Sequence, residues 1–476
     1  MDLSRYLASH RRMPGSKSRD SLAQEFANDR SRILYSAPFR RLGQKTQVFP
    51  VQSNASVRNR ITHTLEVSDV GRLIAQEVSE KLIKDQKLAP DCQLAFVLLV
   101  ENACLLHDLG NPPFGHFGEQ AISSWFCENW KSCFKQATGL LSEAVIPETN
   151  PITRHIEDFL QFDGNPQGIR IALRLQRDLH EHGMNLTCST ILAATKYTRS
   201  SAQTGGTGTC KKPGYFETER PIIEELKVDM GIDLNSRHPA TYIMEAADDI
   251  AYCISDIEDG IEKEILSPDD FFKLFTEEWK RIEPDKKVPY LDETDNGDSW
   301  KSFFLFKTRF TSGMIEEAAK TFLQHMNEAT LNLPELFPQD STPNKLFRCL
   351  KTVARRKLFR SSEAENPELA GYNIIKGLLN GFRPLLTCSK TDFNALICAD
   401  KDPKNVGDYL QLHWRLFDKL PKKYIRSYQD QVAALQIDGF HEWHLRAHLI
   451  VDNIASMTDG YALETFQILS GNRISS

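Results

Sequence analysis

Two imidazoles and two carboxylates stand at His63, His107, Asp108 and Asp248. Together they form a mixed nitrogen and oxygen ligand set suited to one divalent ion such as manganese, iron, magnesium or nickel. On an octahedral ion, four protein ligands leave two positions open for water and a substrate oxygen. Two carboxylates also neutralise the 2+ charge, so a polyanionic substrate needs further cations from the chain. Each residue singly also fits a structural role. His63 suits a hydrogen-bonded core imidazole, the His107-Asp108 dipeptide is common by chance, and Asp248 beside Asp249 suits a helix dipole.

The positioning elements are helical. From Ile61, residues His63, Val67, Val70, Ile74, Val78 and Leu82 recur at steps of three and four, which places them on one helix face. The segment Cys92 to Gly110 is apolar nearly all round, as in a helix buried on every side, and Gly110-Asn111-Pro112-Pro113 stops it. A buried Asp at such an end is costly unless paired or ligating. A third helix carries Ile243, Ala247, Ile250, Ile254, Ile257, Ile261 and Ile265 on one stripe. Strand-like alternation is scarce, so an all-α fold with at most a small hairpin is expected.

The expected division is an N-terminal tail over 1–25, a catalytic core over 26–265 and a C-terminal helical region over 266–476. Both of the latter can share one core, because nothing near residue 266 resembles a flexible linker. Loops are expected at Gln203 to Gly214, Glu283 to Asp298 and Ala399 to Asp408, from their Pro, Gly and Asp content.

With 476 residues, 41% hydrophobic and 26% charged, the composition is that of a globular chain. A net charge of -6 argues against a generic nucleic-acid binder and makes any anion site a local patch. The charged N-terminus lacks an apolar signal region. The apolar run Leu94 to Val100 is far short of the ~20 residues of a membrane span. Ten cysteines without a CxxC pair read as reduced thiols. Cytoplasm is the expected compartment.

Past the Gly-Asn-Pro-Pro stop, FGHFGE sets His116 and Glu119 three apart, on one side of a helical turn. Asp248, Tyr252 and Asp256 recur every four residues and form a row spanning about 12 Å along one helix. The Gly-rich QTGGTGTCKKPGY lacks the spacing of a phosphate-binding P-loop and follows a helical pattern, so it is not one.

RNRITHTLEV, CLLHDLGNPPFGHFGEQAI and IMEAADDIAYCISDIED together resemble the dGTP triphosphohydrolase family, within the wider HD phosphohydrolases. SAPFRRLGQKTQVFP, FDGNPQGIR, KYTR with KKPGY, and ELAGYNIIKGLL with FRPLL extend the resemblance, in family order, from about residue 25 to beyond 415. The enterobacterial branch is the nearest match. Asn111 stands where many HD enzymes carry histidine, which fits this branch and argues against a second metal there.

The resemblance implies that His63, His107, Asp108 and Asp248 hold one divalent metal (Mn, Mg or Fe), and that His116 and Glu119 form a catalytic dyad. Whether His116 acts as acid or base stays open. Phosphate contacts fall to Arg60, Lys196, Tyr197 and Lys212, with Arg58 and Lys211 as neighbours. Tyr252 packs against the sugar at C2′, Asp256 with Gln47 binds the 3′-hydroxyl, and Phe359, Glu368 and Arg415 line the guanine pocket. The implied reaction is hydrolysis of dGTP to deoxyguanosine and triphosphate.

Rival readings are a broad dNTP triphosphohydrolase, an HD phosphodiesterase or nucleotidase, and a nucleotide- or single-stranded-DNA-binding protein without turnover. The basic runs Arg355-Arg356-Lys357 and Lys422-Lys423 to Arg426 are candidates for DNA contact, or solvated helix faces. The family also implies a homo-oligomer, a hexamer. No membrane contact is expected.

Overall fold

The computed structural model describes residues 2–13, 21–49, 56–141, 143, 145–146, 150–177, 181–291, 298–327, 333–399, 406–434 and 439–474. Among these residues no β-strand forms. Extended pairing is limited to isolated bridges, Arg11 with Thr187, Thr46 with Asn59 and Ser200 with Tyr215. The fold is all-α.

Three long helices carry the candidate ligands. Arg60–Lys84 begins at a reciprocal cap: the Asn59 side chain accepts from Thr62 N at 3.0 Å, and Asn59 N donates to the Thr62 hydroxyl at 3.1 Å. Its buried face carries His63, Val67, Val70, Ile74, Val78 and Leu82. Gly71 lets it approach Gln93–Leu106 closely, since a Cβ there would stand 2.6 Å from Cys104 Sγ. Gln93–Leu106 is the apolar central helix, packed against Arg60–Lys84, Leu22–Leu34, Cys188–Ala194 and Pro239–Glu262. It ends four residues before Gly110, so His107 caps it and Asp108 lies in the turn beyond.

Pro239–Glu262 starts with Pro at its first position, where the missing N–H costs nothing. Its apolar stripe runs from Ile243 to Ile261. Ile265 falls outside the helix, because the chain leaves at Lys263 and Glu264 turns with φ 58°.

Two apolar clusters fill the interior, and each draws residues from both sides of position 265. One joins Leu105, Trp125 and Phe159 to Leu378, Phe382, Trp443 and Ile454. The other joins Val67, Leu99 and Ile250 to Phe275, Phe310 and Leu350. The joint is made largely by Ser362–Thr387, which lies along Gly115–Thr138 and also packs on Gly439–Ala455 and Asp459–Leu469. Residues 2–13 pack as well: Leu3 and Leu7 are buried, and Arg11 Nη2 pairs with Glu25 Oε2 at 2.7 Å.

The polar stretch from Gln203 to Gly214 is a loop with one short 3-10 turn, Gly208–Cys210. Parts of the other expected loops, residues 292–297 and 400–405, lie outside the described residues, as do residues 14–20 of the N-terminal stretch. No described helix is long and apolar enough to cross a membrane.

Candidate metal and catalytic centre

The His107 ring is oriented by its own helix. Its Nδ1 lies 2.6 Å from the Cys104 carbonyl, which can only accept, so Nδ1 carries a proton, and in the neutral ring Nε2 is left with its lone pair. That Nε2 is buried without a hydrogen-bond partner. It stands 3.6 Å from both Asp108 Oδ1 and Asp248 Oδ1. From the neighbouring helix, His63 Nε2 comes to 3.3 Å from the same Asp248 oxygen. Donors bound at about 2.1 Å to one ion stand roughly 3–4 Å apart, so the separations among His63, His107 and Asp248 suit a shared cation. Asp108 lies beside this group, with both oxygens engaged by Arg60 and Asn111.

The carboxylates suit it too. Burial pushes Asp108 up, but the Arg60 guanidinium and the imidazoles of His107 and His63 outweigh it and bring the group down to about 2. Asp248 is likewise pushed up by burial and drawn far below the usual carboxylate range by His107, His63 and Lys196. Both stay ionised at neutral pH. Asp108 Oδ2 accepts from Arg60 Nη1 at 2.7 Å, and Oδ1 accepts from Asn111 Nδ2 at 2.5 Å. Asn111 therefore braces a candidate ligand where another HD sequence has histidine.

His116 and Glu119 meet as their spacing suggests, with Nδ1 2.7 Å from Oε2. The bond to Glu119 raises His116 above its ordinary value, against burial and the nearby charges of Lys212 and Arg60. The imidazole is largely exposed, whereas Glu119 is buried. Glu119 Oε1 accepts from the backbone of Gly164 at 2.8 Å. This gives FDGNPQGIR a local purpose. A Cβ on Gly110 would lie 2.1 Å from Gly168 N, and one on Gly164 would lie 2.0 Å from Asn111 Oδ1. The two segments touch backbone to backbone, which only glycine permits.

Cations surround this centre. Lys196 Nζ lies 3.8 Å from Asp248 Oδ2 and 3.9 Å from Glu245 Oε1. Lys212 Nζ donates to Asp163 Oδ2 at 2.6 Å. Tyr197 is buried, with Gly214 against its carbonyl. Arg58 is committed elsewhere. Its Nε bonds Glu66 at 2.8 Å, Nη1 bonds Asp259 at 2.6 Å, and Nη2 bonds Glu258. Lys211 is exposed.

Down the Asp248 helix, Tyr252 and Asp256 lie one turn apart, close enough for each to shift the other's proton affinity. Burial pushes Asp256 up to about 8, with Asp259 adding to it and His63 opposing. Asp256 Oδ2 and Gln47 Oε1 are buried without partners, as are Arg60 Nε and His63 Nδ1. Buried polar atoms are nearly always paired, and these four orphans lie on or beside the elements that carry the candidate ligands.

The base-pocket candidates are less gathered. Phe359 is half-buried at the end of Thr342–Lys357, where its neighbour Leu358 fills the space over Gly260. Glu368 is half-buried and close enough for its charge and that of His116 to interact; burial and Glu365 raise it. Arg415 is exposed on Gln411–Asp418, and no hydrogen bond or ion pair ties it to the centre among the described residues.

Lys45, Asn111, Asp163 and Asp459 are supporting residues that motif spacing did not single out. Three of them sit inside quoted motifs. Asp459 lies hundreds of residues away and carries no sequence signal.

A second group of metal-type donors, Asp158, His444 and His448, is fully buried. Both imidazole Nε2 atoms converge on one oxygen, Asp158 Oδ2, each at 3.0 Å. The other oxygen accepts from the Ser201 hydroxyl and from Glu217 N. Both Asp158 oxygens are fully engaged, and the group is a buried hydrogen-bonded network in which His448 Nδ1 alone lacks a partner.

The HD domain pattern matches residues 60–158, which span His63, His107, Asp108, His116 and Glu119. The deoxyguanosinetriphosphate triphosphohydrolase of Serratia proteamaculans (strain 568) is 34% identical, covering 94% of each chain. That of Yersinia pestis (strain Pestoides F) is 35% identical over 94% of each, and that of Enterobacter sp. (strain 638) 34% over 97% of each. On an all-α fold with this centre and near full-length similarity, the chain belongs to the deoxyguanosinetriphosphate triphosphohydrolase family of HD-domain hydrolases.

Proposed function

We propose that the protein hydrolyses dGTP to deoxyguanosine and inorganic triphosphate, using one divalent metal. The single observation that carries the metal is the His107 tautomer. Its Nε2 lone pair is buried, unpartnered and aimed at two ionised carboxylates. His63, His107, Asp108 and Asp248 would hold the ion, which when bound supplies Lewis acidity to the α-phosphate. Manganese, magnesium or iron all suit this donor set.

In the reaction, a water oxygen bonds to the α-phosphorus, the bond from that phosphorus to the 5′-oxygen breaks, and one proton ends on the 5′-oxygen. His116, held by Glu119, moves a proton as acid or base, a role worth about 10²–10⁴-fold. Arg60, Lys196 and Lys212 offset the triphosphate charge, with Tyr197 beside them. Tyr252 stands where a 2′-hydroxyl would go. The unpartnered oxygens of Asp256 and Gln47 offer hydrogen bonds to the 3′-hydroxyl. Phe359 and Glu368 face the base, stacking on it and accepting its N1 and N2 protons. Arg415 is the third base candidate, exposed on Gln411–Asp418.

The chain from 26 to 265 then acts as the catalytic core, and 266–476 completes the pocket. We further infer a homo-oligomer, a hexamer as in the family, and the cytoplasm as compartment, which ten free cysteines suit. Single-stranded DNA on the basic runs stays a subsidiary proposal.

The test is a turnover panel of the four dNTPs, rNTPs and dNMPs with magnesium and with manganese, products separated by chromatography. Triphosphate and deoxyguanosine from dGTP are expected. Equal turnover of all dNTPs supports the broad-specificity reading, pyrophosphate or phosphate release a nucleotidase or phosphodiesterase, and binding without turnover the sensor reading.

A further inference from the structure

The turn that delivers His116 cannot hold itself. Phe114 sits at φ 61° and Gly115 at φ 56°, two consecutive residues in the left-handed region. For phenylalanine that conformation is strained and persists only where surroundings enforce it. Phe114 occupies the N-cap position of Gly115–Thr138, yet its side chain makes no capping hydrogen bond.

The enforcement comes from the far end of the chain. Phe114 N donates to Asp459 Oδ1 at 3.1 Å. Asp459 Oδ2 accepts from Thr46 N at 2.9 Å and from the Thr46 hydroxyl. Next to it, the buried Lys45 ammonium donates to the carbonyls of Asn111 at 2.5 Å and Ala455 at 2.8 Å. Ala455 ends one helix and Asp459 begins the next, so this corner holds two strips of chain. One is Lys45–Thr46, leading to Gln47. The other is Asn111–Phe114, leading to His116. The Phe114 ring is pinned from another side by Gly371, where a Cβ would lie 2.3 Å from Phe114 Cγ.

We propose that Asp459, with Lys45, is a positioning residue that fixes His116 and Gln47 in one register, coupling proton transfer to grip on the sugar. A carboxylate is needed because its two oxygens accept from two strips at once. Asparagine offers one acceptor oxygen and turns an amide N–H toward the other donor. The inference rests on the proposed catalytic role of His116, and its test separates the two.

The experiment is a double-mutant cycle in the full-length, metal-loaded protein. Asp459→Asn is expected to lower kcat for dGTP at least 10-fold, a scale typical of small misplacements of a reacting group. Metal content and far-ultraviolet dichroism should stay at the wild-type level. Asp459→Asn added to His116→Ala should lower kcat less than 2-fold beyond His116→Ala alone, because the brace reaches kcat through the imidazole, whereas its effect through Gln47 is read in KM. Phe114→Gly, which relieves the left-handed strain, should recover part of the kcat lost in Asp459→Asn. Unchanged kcat in Asp459→Asn, or a full 10-fold loss repeated in the His116→Ala background, overturns the proposal. Full turnover by His116→Ala overturns the catalytic reading instead, and the brace with it. If Asp459→Asn does not fold, Thr46→Val and Lys45→Met probe the same corner, and wild-type kcat in both overturns the brace.

Discussion

Glu119 Oε2 lies 2.7 Å from His116 Nδ1, and this contact joins a buried carboxylate to an imidazole that is largely exposed. The contact settles which ring nitrogen faces outward, since Nδ1 is spent on Glu119 and Nε2 is left for substrate. Glu119 is itself fixed through its second oxygen by the backbone of Gly164.

The first prediction concerns pH. Glu119 favours the imidazolium and raises His116 above its ordinary 6.5. His116 thus stays protonated to a higher pH than a free imidazole, and any His116-controlled limb of the rate profile lies above that value. In Glu119→Gln the negative partner is gone, so the limb should move to lower pH and turnover should fall about 10²-fold or more. Profiles of kcat/KM against pH for both proteins check this; an unmoved limb would assign it to another group.

Metal and proton chemistry should separate by mutation. Asp108→Ala and Asp248→Asn are expected to lose bound metal and turnover together. His116→Ala should keep its metal and lose turnover. Elemental analysis of the purified variants beside dGTP assays reads both, and equal metal loss in all three contradicts the division of roles.

Tyr252 is expected to act on the sugar. Tyr252→Ala should raise GTP turnover relative to dGTP by about 10-fold or more, since a lost steric wedge is worth ~1–3 kcal/mol of discrimination. An unchanged preference in competition assays would remove the wedge.

Gly164→Ala tests the backbone contact between the two motifs. Its Cβ would lie 2.0 Å from Asn111 Oδ1 and 3.1 Å from Glu119 Oε1. Overpacking of this kind costs about 1–3 kcal/mol. Denaturant unfolding should show that loss, with kcat reduced at least 10-fold because Glu119 and Asn111 are both displaced.

Arg58 should behave as a structural residue. Its guanidinium satisfies Glu66, Glu258 and Asp259, and Asp259 already sits at about 6 because burial outweighs the help from Arg58. Arg58→Met leaves Asp259 buried without its cation, while Glu258 keeps Lys307 and Glu66 is partly exposed, a loss of about 3–5 kcal/mol for a buried pair. Urea unfolding should register it. A change confined to KM for dGTP, with stability intact, would return Arg58 to phosphate binding.

Helix type and most of the ligand-bearing faces were legible because each depends on residues three to four apart. The period from His63 to Leu82, the apolar run before His107 and the Gly-Pro stop are local facts, and so is the His116-to-Glu119 step. Ile265 was misplaced on its stripe for the same reason. Periodicity continues through a helix end that Glu264, turning left-handed, imposes. Spacing alone treats Arg58 and Arg60 alike, and only the resemblance set Arg60 ahead; the carboxylates each one meets are set by the tertiary structure.

The primary structure by itself thus indicated an all-helical chain and the donor types of the candidate centre, since residue chemistry and short-range spacing suffice for these, and its motifs indicated the family by resemblance. The tertiary structure alone decided which nitrogen of His107 donates to its own helix, what holds Glu119, and that Asp459 accepts from Phe114 N across 344 intervening positions. Such contacts follow from packing a long chain around shared cores, and no local pattern encodes them.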